Sequence, residues 1–139
     1  MRVVFDTNIL VAAFTTTNGR AEAAFALAAR RRCRLLTSLA ILTEAARVFR
    51  SKFGLPDEEV GSILKAVVRV AELVRPTSHL RLVHDEPDNR ILECAIDGSA
   101  DLIVTGDRAL LRLRKAGAIP VVRLVDFLRS FPFSPDVQS

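Results

Sequence analysis

Short runs of consecutive apolar residues recur along the chain, separated by longer segments whose apolar positions repeat at helical spacing. The first run, residues 2–5, is β-branched and aromatic and stops at Asp6, which predicts a buried strand. Residues 8–14 read as a helical turn and 15–19 as a polar loop, before an alanine-rich segment, 21–32, of high helix propensity. A second short strand is predicted at 35–37, with Ser38 as N-cap of a helix that carries Ile41, Glu44, Val48 and Phe49 and ends at Gly54. Pro56 and the acids Asp57, Glu58 and Glu59 open a further helix that the spacing extends to about Leu73.

Beyond Pro76 the pattern weakens, with a faint strand at residues 80–83 and a turn at 85–88 that leaves Asp88 at the N-terminus of a helix through Ile96. Gly98 stops that helix, and residues 102–104 form a clean apolar strand. Gly106 and Asp107 then lead into a helix over 108–115, Gly117 and Pro120 bracket a turn, and 121–122 and 125–130 give a last strand and a last helix. Strands alternating with helices predict an α/β fold, a three-layer sandwich whose mostly parallel central sheet is flanked by helices. With no internal repeat or linker, one domain is expected over residues 1–131, followed by a tail rich in proline and serine at 132–139.

Composition agrees with a packed domain. The chain has 139 residues, half of them hydrophobic, which suffices for a real core and argues against disorder. No apolar stretch approaches the roughly 18 residues of a membrane span, and Met1-Arg2 runs straight into the first strand without a cleavable-signal pattern. No membrane partner is expected, and the cytoplasm is the expected compartment. Cys33 and Cys94 lack zinc or redox spacing and read as small buried apolar residues. A net charge of +4 and a pI near 9.8 suit a polyanionic partner without proving one. The basic residues bunch at Arg30, Arg31, Arg32 and Arg34, and at Arg108, Arg112, Arg114 and Lys115, which serve equally as helix-end cations or as phosphate contacts.

The placement of the acids changes this picture most. In open α/β sheets, ligands bind beyond the carboxyl ends of the strands. Asp6 and Asp107 each follow a predicted strand, Asp88 begins a helix, and Glu44 lies in the helix entered directly from the second strand. Parallel neighbouring strands would bring all four to one rim. Each acid alone has a plainer explanation as a helix cap or a solvated helix residue. Two carboxylates about 4 Å apart repel by about 4 kcal/mol at an effective dielectric near 20, so a crowded set calls for protons or a cation. Hard oxygen donors suit Mg²⁺ or Mn²⁺, and such an ion activates water without a nucleophilic side chain. His79 and His84 lie in the weakly patterned region and read as surface residues.

These segments resemble the PIN-domain family. Val3-Val4-Phe5-Asp6-Thr7-Asn8-Ile9-Leu10 is similar to the family's opening motif, and Thr43-Glu44 matches its second acid. The stretch Asp85-Glu86-Pro87-Asp88-Asn89-Arg90-Ile91-Leu92-Glu93-Cys94-Ala95 resembles the third-acid segment, and Ala100-Asp101-Leu102-Ile103-Val104-Thr105-Gly106-Asp107 the fourth. The resemblance implies an acidic quartet of Asp6, Glu44, Asp88 and Asp107 with Asn8 and Thr105 in support. It further implies Mg²⁺- or Mn²⁺-dependent endoribonuclease activity leaving 5′-phosphate and 3′-hydroxyl ends. A compact chain of this length resembles the VapC-like toxins of toxin–antitoxin pairs, which implies a small antitoxin partner and a homodimer.

Relatives often carry Asp-Pro-x-Asp in the third-acid segment, whereas here proline follows Glu86, so Asp85 and Asp88 are both candidates for the inner ligand. Asp88 is preferred because Ile91, Leu92 and Ala95 then share a core face; Asp85 would hold an outer-sphere water. Arg47, Arg108 and Arg112 are candidates to flank an RNA backbone laid across the rim. A haloacid-dehalogenase-type phosphatase needs a second Asp where this chain has Asn8, and Lys52, Lys65 and Lys115 lie outside strand ends. A phospho-receiver domain needs paired acids after the first strand. A non-catalytic PIN-fold RNA-binding or scaffold protein would be expected to lack one of the four acids, and all are present. Without Trp or Tyr, aromatic stacking on bases is not expected, and affinity for RNA should rest on backbone charge.

Overall fold

A computed structural model describes residues 1–131; the tail expected from residue 132 lies outside them. Val3, Val4 and Phe5 of β1 (Arg2–Phe5) are wholly buried, as an unbroken apolar run requires of a strand covered on both faces. β1 pairs in parallel with β2 (Arg34–Ser38) on one side and with β4 (Leu102–Val104) on the other. The six-stranded sheet runs β3-β2-β1-β4-β6-β5, with β3 at Glu72–Val74, β5 at Lys115–Ala116 and β6 at Ile119–Val122. The β5–β6 hairpin is antiparallel, and the other pairings among the described residues are parallel. After β3 the chain crosses to the far side of β1, so the topology switches between β1 and β4. That crevice is where doubly wound sheets bind ligands.

Helices flank the sheet: α1 (Thr7–Thr15), α2 (Arg20–Ala29), α3 (Leu39–Phe53), α4 (Asp57–Val70), α5 (Glu86–Asp97), α6 (Arg108–Leu113) and α7 (Leu124–Arg129). The α/β sandwich expected from the strand–helix alternation is therefore the fold. α3 is bounded as its sequence predicts: the Ser38 hydroxyl accepts from the Ile41 amide at 3.3 Å, and Gly54 closes the helix at a φ of +62°, a left-handed position suited to glycine. Gly98 ends α5 for a different reason, because a β-carbon there would sit 2.7 Å from the Cys94 carbonyl and 2.8 Å from a Val74 methyl. Phe127 of α7 meets Phe5 edge-to-face at 5.6 Å and anchors the last helix on the central strand. Cys33 and Cys94 are free and buried. Among the described residues, no helix is long and apolar enough to cross a membrane.

The region between α4 and α5 departs from its sequence pattern. α4 stops at Val70 rather than near Leu73, and Glu72, Leu73 and Val74 pair with Leu36, Thr37 and Ser38 as β3. A buttress from outside the strand holds Glu72, whose carboxylate accepts two hydrogen bonds from the Arg2 guanidinium at 2.7 and 3.1 Å. Residues 80–83, expected as a strand, form none. Their surroundings offer side chains instead: the buried Asn89 accepts from the Leu82 and Val83 amides and donates to the Val83 carbonyl, and Glu93 accepts from the Leu80 amide. One turn further along α5, Asp97 accepts from the Thr77 and Ser78 amides. Asn89, Glu93 and Asp97 follow at intervals of four and form a polar stripe on one helix face that clamps residues 77–83. Asn89→Ala is expected to cost about 1–3 kcal/mol and to accelerate hydrogen exchange at Leu82 and Val83 while β1 stays protected. Unchanged protection at those amides would refute the clamp.

Candidate active site

The carboxyl ends of β1 and β4 lie side by side, and each hands its chain to a helix through an aspartate. Asp6 caps α1 by accepting from the Ile9 amide at 2.8 Å, and Asp107 caps α6 by accepting from the Leu110 amide at 3.0 Å. Thr105, wholly buried, joins the two: its hydroxyl donates to Asp6 Oδ2 and accepts from the Asp107 amide at 2.9 Å. The Gly106 amide approaches Asp6 Oδ2 at 3.4 Å.

The third acidic segment enters from α5, which begins at Glu86 rather than at Asp88. Asp85 is its N-cap, accepting from the Asp88 amide at 3.3 Å, and Pro87 sits in the first turn, where its missing N–H costs nothing. Asp88 is thereby drawn into that first turn and is only 9% exposed, and its buried Oδ2 receives no hydrogen bond among the described residues.

Electrostatics tie these acids together. Burial pushes the Asp88 carboxyl up to about 7, and Asp107, Asp85 and Asp6 add to the rise, Asp107 closely enough to share a proton. Asp6 is also raised, chiefly by burial, against the opposing hydrogen bonds from Thr105, Ile9 and Gly106. Helix capping does not exhaust these groups. In Asp6, Asp85 and Asp107 alike, the cap uses Oδ1.

Glu44 stands at one remove. It is half-buried on α3, pairs with Arg47 at 2.5 Å, and is not among the charges acting on Asp6 or Asp88. It faces a small cavity of about 180 Å³ with Thr7, which follows Asp6, and with Ala40, Glu86, Pro87 and Arg90. Asn8 lies exposed in the first turn of α1, and Arg108 and Arg112 are exposed on α6. Arg47 is mostly exposed but committed to Glu44.

Nothing in the sequence pattern singles out Arg90, yet it lies at the edge of this region. It pairs with Glu93 at 2.8 Å and Glu86 at 3.4 Å, and its Nε is buried without a partner among the described residues. The only cue in the sequence is its position three residues before one acid and four after another.

Among the described residues, no group of three His, Cys, Asp or Glu side chains is arranged to hold a metal ion. The donors nevertheless suit a hydrated hard cation, which binds through few carboxylates and keeps several waters. Asp88 offers an oxygen without a hydrogen-bond partner among the described residues, and Asp107, Asp85 and Asp6 crowd it with like charge.

A mostly parallel sheet with acids gathered at its topological switch point defines an α/β protein built to act at that edge. The PIN domain profile matches residues 2–109, and the chain belongs to the PIN domain family, whose members are in general nucleases. The chain is 29% identical over 118 residues to the uncharacterized protein MJ1680 of Methanocaldococcus jannaschii, covering 82% of this chain and 76% of that one. Its fold is similar to that of a chain in the crystal structure of VapBC2 from Rickettsia felis bound to a DNA fragment from their promoter. There the TM-score is 0.64 at 20% identity, over 88% of this chain and 98% of that one.

Proposed function

We propose that the chain is a metal-dependent endoribonuclease, the toxin of a toxin–antitoxin pair, with Asp6, Asp88 and Asp107 as the acids that hold Mg²⁺ or Mn²⁺. The observation that carries this reading is the buried Asp88 carboxylate, pressed against Asp107, Asp85 and Asp6 with one oxygen lacking a donor among the described residues. A protein that merely needed helix caps would not gather four carboxylates against their mutual repulsion. When bound, the ion offsets that repulsion, acidifies a water and polarises the phosphate.

The chain's own residues do the positioning. Thr105 fixes Asp6 and Asp107 relative to one another through its two hydrogen bonds. Asp85 caps the turn that presents Asp88 and is placed to orient a water beside it. Glu44 borders the site next to Thr7. Arg108 and Arg112 on α6 offer exposed cations to the phosphate backbone, and Arg47 joins them if it releases Glu44. Family membership and the fold shared with a VapBC2 chain support an antitoxin as partner; the working assembly proposed with it is a homodimer.

The test is cleavage of single-stranded RNA by the purified chain with Mn²⁺, with Mg²⁺ and with chelator. Cleavage should require the ion and leave 5′-phosphate ends, and RNA affinity should fall steeply with salt as phosphate contacts release counterions. Metal-independent cleavage or a flat salt dependence would refute the reading. Thr105→Val, which keeps the side chain's shape and removes both hydrogen bonds, should lower metal affinity or rate by about 10–100-fold. Thr105→Ser should restore most of it. Equal activity in Thr105→Val and wild type would show that the bridge between the acids does not matter.

A further inference from the structure

Beside the acids, where β2 and β3 end and α3 begins, lies a cavity of about 540 Å³ that the reading above does not use. That volume falls within the range of ordinary small-molecule pockets. Leu39, Ala40, Leu73, Val74 and Pro76 give it an aliphatic part of the wall, and the hydroxyls of Ser38 and Ser78, also in the lining, are engaged with the Ile41 amide and Asp97. Leu39 is 72% exposed and Leu73 43%, a large apolar exposure for residues at the business end of the sheet.

The cavity adjoins the site. Ala40 and Arg90 line both it and the smaller cavity bordered by Thr7, which follows Asp6, and by Glu44, so the two spaces lie on either side of these residues. The charge around it is lopsided. The carboxylate in the lining, Glu93, is buried and already engaged by Arg90 and the Leu80 amide. Arg75 and His79 stand exposed at the rim and make no ion pair or hydrogen bond among the described residues. A largely apolar interior with the Arg75 guanidinium at its mouth suits a ligand that is flat and weakly polar at one end and anionic at the other.

We infer that this cavity receives an unpaired nucleobase of the RNA, flanking the phosphate held at the acids, with Arg75 and His79 meeting its sugar–phosphate chain. The inference rests on the RNA reading above. Sequence-specific RNA proteins take unstacked bases because a duplex cannot splay them out, so this pocket favours single strands. Aliphatic walls touch the face of a base without reading its edge, and the pocket therefore senses that a base is present more than which base it is.

The first test is binding, independent of cleavage. Each of the four nucleoside 5′-monophosphates, and ribose 5-phosphate as control, is titrated into the metal-free full chain and followed by amide NMR. Without metal the acids repel phosphate, so a response in the pocket reports the base. Shifts at Leu39, Leu73, Val74 and His79 with the nucleotides and not with ribose 5-phosphate support the pocket. Leu39→Asp, whose acid suits the first turn of a helix, should weaken that binding by roughly tenfold through lost apolar contact and added repulsion.

The second test uses RNA. Leu39→Asp should raise KM by a similar factor on an intact strand and by a clearly smaller one on a strand made abasic at the flanking position, where only the added repulsion remains. If nucleotides bind the pocket but the wild type cuts no RNA, the nuclease reading fails and the base site stands. Shifts confined to the acids, an equal response to ribose 5-phosphate, or equal effects of Leu39→Asp on intact and abasic strands would each overturn the base site. So would pocket amides that respond only to protein concentration, which would assign the face to a second copy of the chain.

Discussion

Asp6→Asn is expected to reduce Mn²⁺-dependent RNA cleavage by about a thousandfold while the folded protein melts at the same temperature or higher. The two halves of this result have separate causes. Asn accepts the Ile9 amide as a helix cap about as well as Asp does, so α1 keeps its start. The Asn amide can also replace the contact with Thr105, accepting from its hydroxyl or donating to it. Meanwhile the substitution removes a charge from a residue only 4% exposed, where burial already disfavours the ionised form. Function suffers for the same reason that stability does not. The anionic oxygen beside Thr105 is what would draw a cation to the switch point, and several kcal/mol of metal-assisted transition-state stabilisation corresponds to about three powers of ten in rate. Single-turnover cleavage alongside thermal melts and Mn²⁺ titration checks all three readouts. A variant that cleaved like wild type would remove Asp6 from the mechanism, and one that failed to fold would show that its charge is structural.

Which features were legible in the sequence follows from how local their causes are. β1, β2 and β4 could be read because a strand buried on both faces needs an unbroken apolar run, and Val3-Val4-Phe5 and Leu102-Ile103-Val104 provide one. Ser38 and Gly54 could be read because helix caps act on residues three or four away. β3 could not. Its three residues continue the apolar spacing of α4, and what makes them a strand is the edge of β2 together with Arg2, about seventy positions upstream, gripping Glu72.

Residues 80–83 mislead in the opposite direction. They have the composition of a strand, but their amides are captured by the polar stripe on α5, whose members follow them in the chain. The start of α5 shows a finer version of the same limit. Helical spacing of Ile91, Leu92 and Ala95 locates the helix but not its cap, and Asp85 takes that role because Pro87 needs no amide partner at the first turn. The nearness of Asp6, Asp88 and Asp107 depends on strand order, which places β4 against β1 after a crossover. No periodicity states that order, and the field those acids share becomes visible only in three dimensions.

That shared field makes stability depend on pH in a direction opposite to that of an ordinary salt-bridged acid. Asp88 is raised from an ordinary carboxylate value of 3.8 to about 7, so over that interval the folded chain holds a proton that the unfolded chain has released. Stability falls as pH rises wherever the folded state binds more protons. The metal-free protein should therefore lose stability between about pH 4 and pH 7 on account of this group, with little further loss above. Each tenfold difference in proton affinity is worth about 1.4 kcal/mol, which puts the penalty at pH 8 on the order of 2–4 kcal/mol.

Two consequences can be measured. In chelator at pH 8, Asp88→Asn should melt several degrees above wild type, and the gap should close as pH falls towards 5. Mn²⁺ should raise the wild-type melting temperature more at pH 8 than at pH 6, because at the lower pH it must displace the proton that already relieves the crowding. Asp88→Asn should show little of that Mn²⁺ effect. If wild type and variant melted together across this range, the acids would not be in conflict, and the case for a cation at the switch point would lose its physical cause.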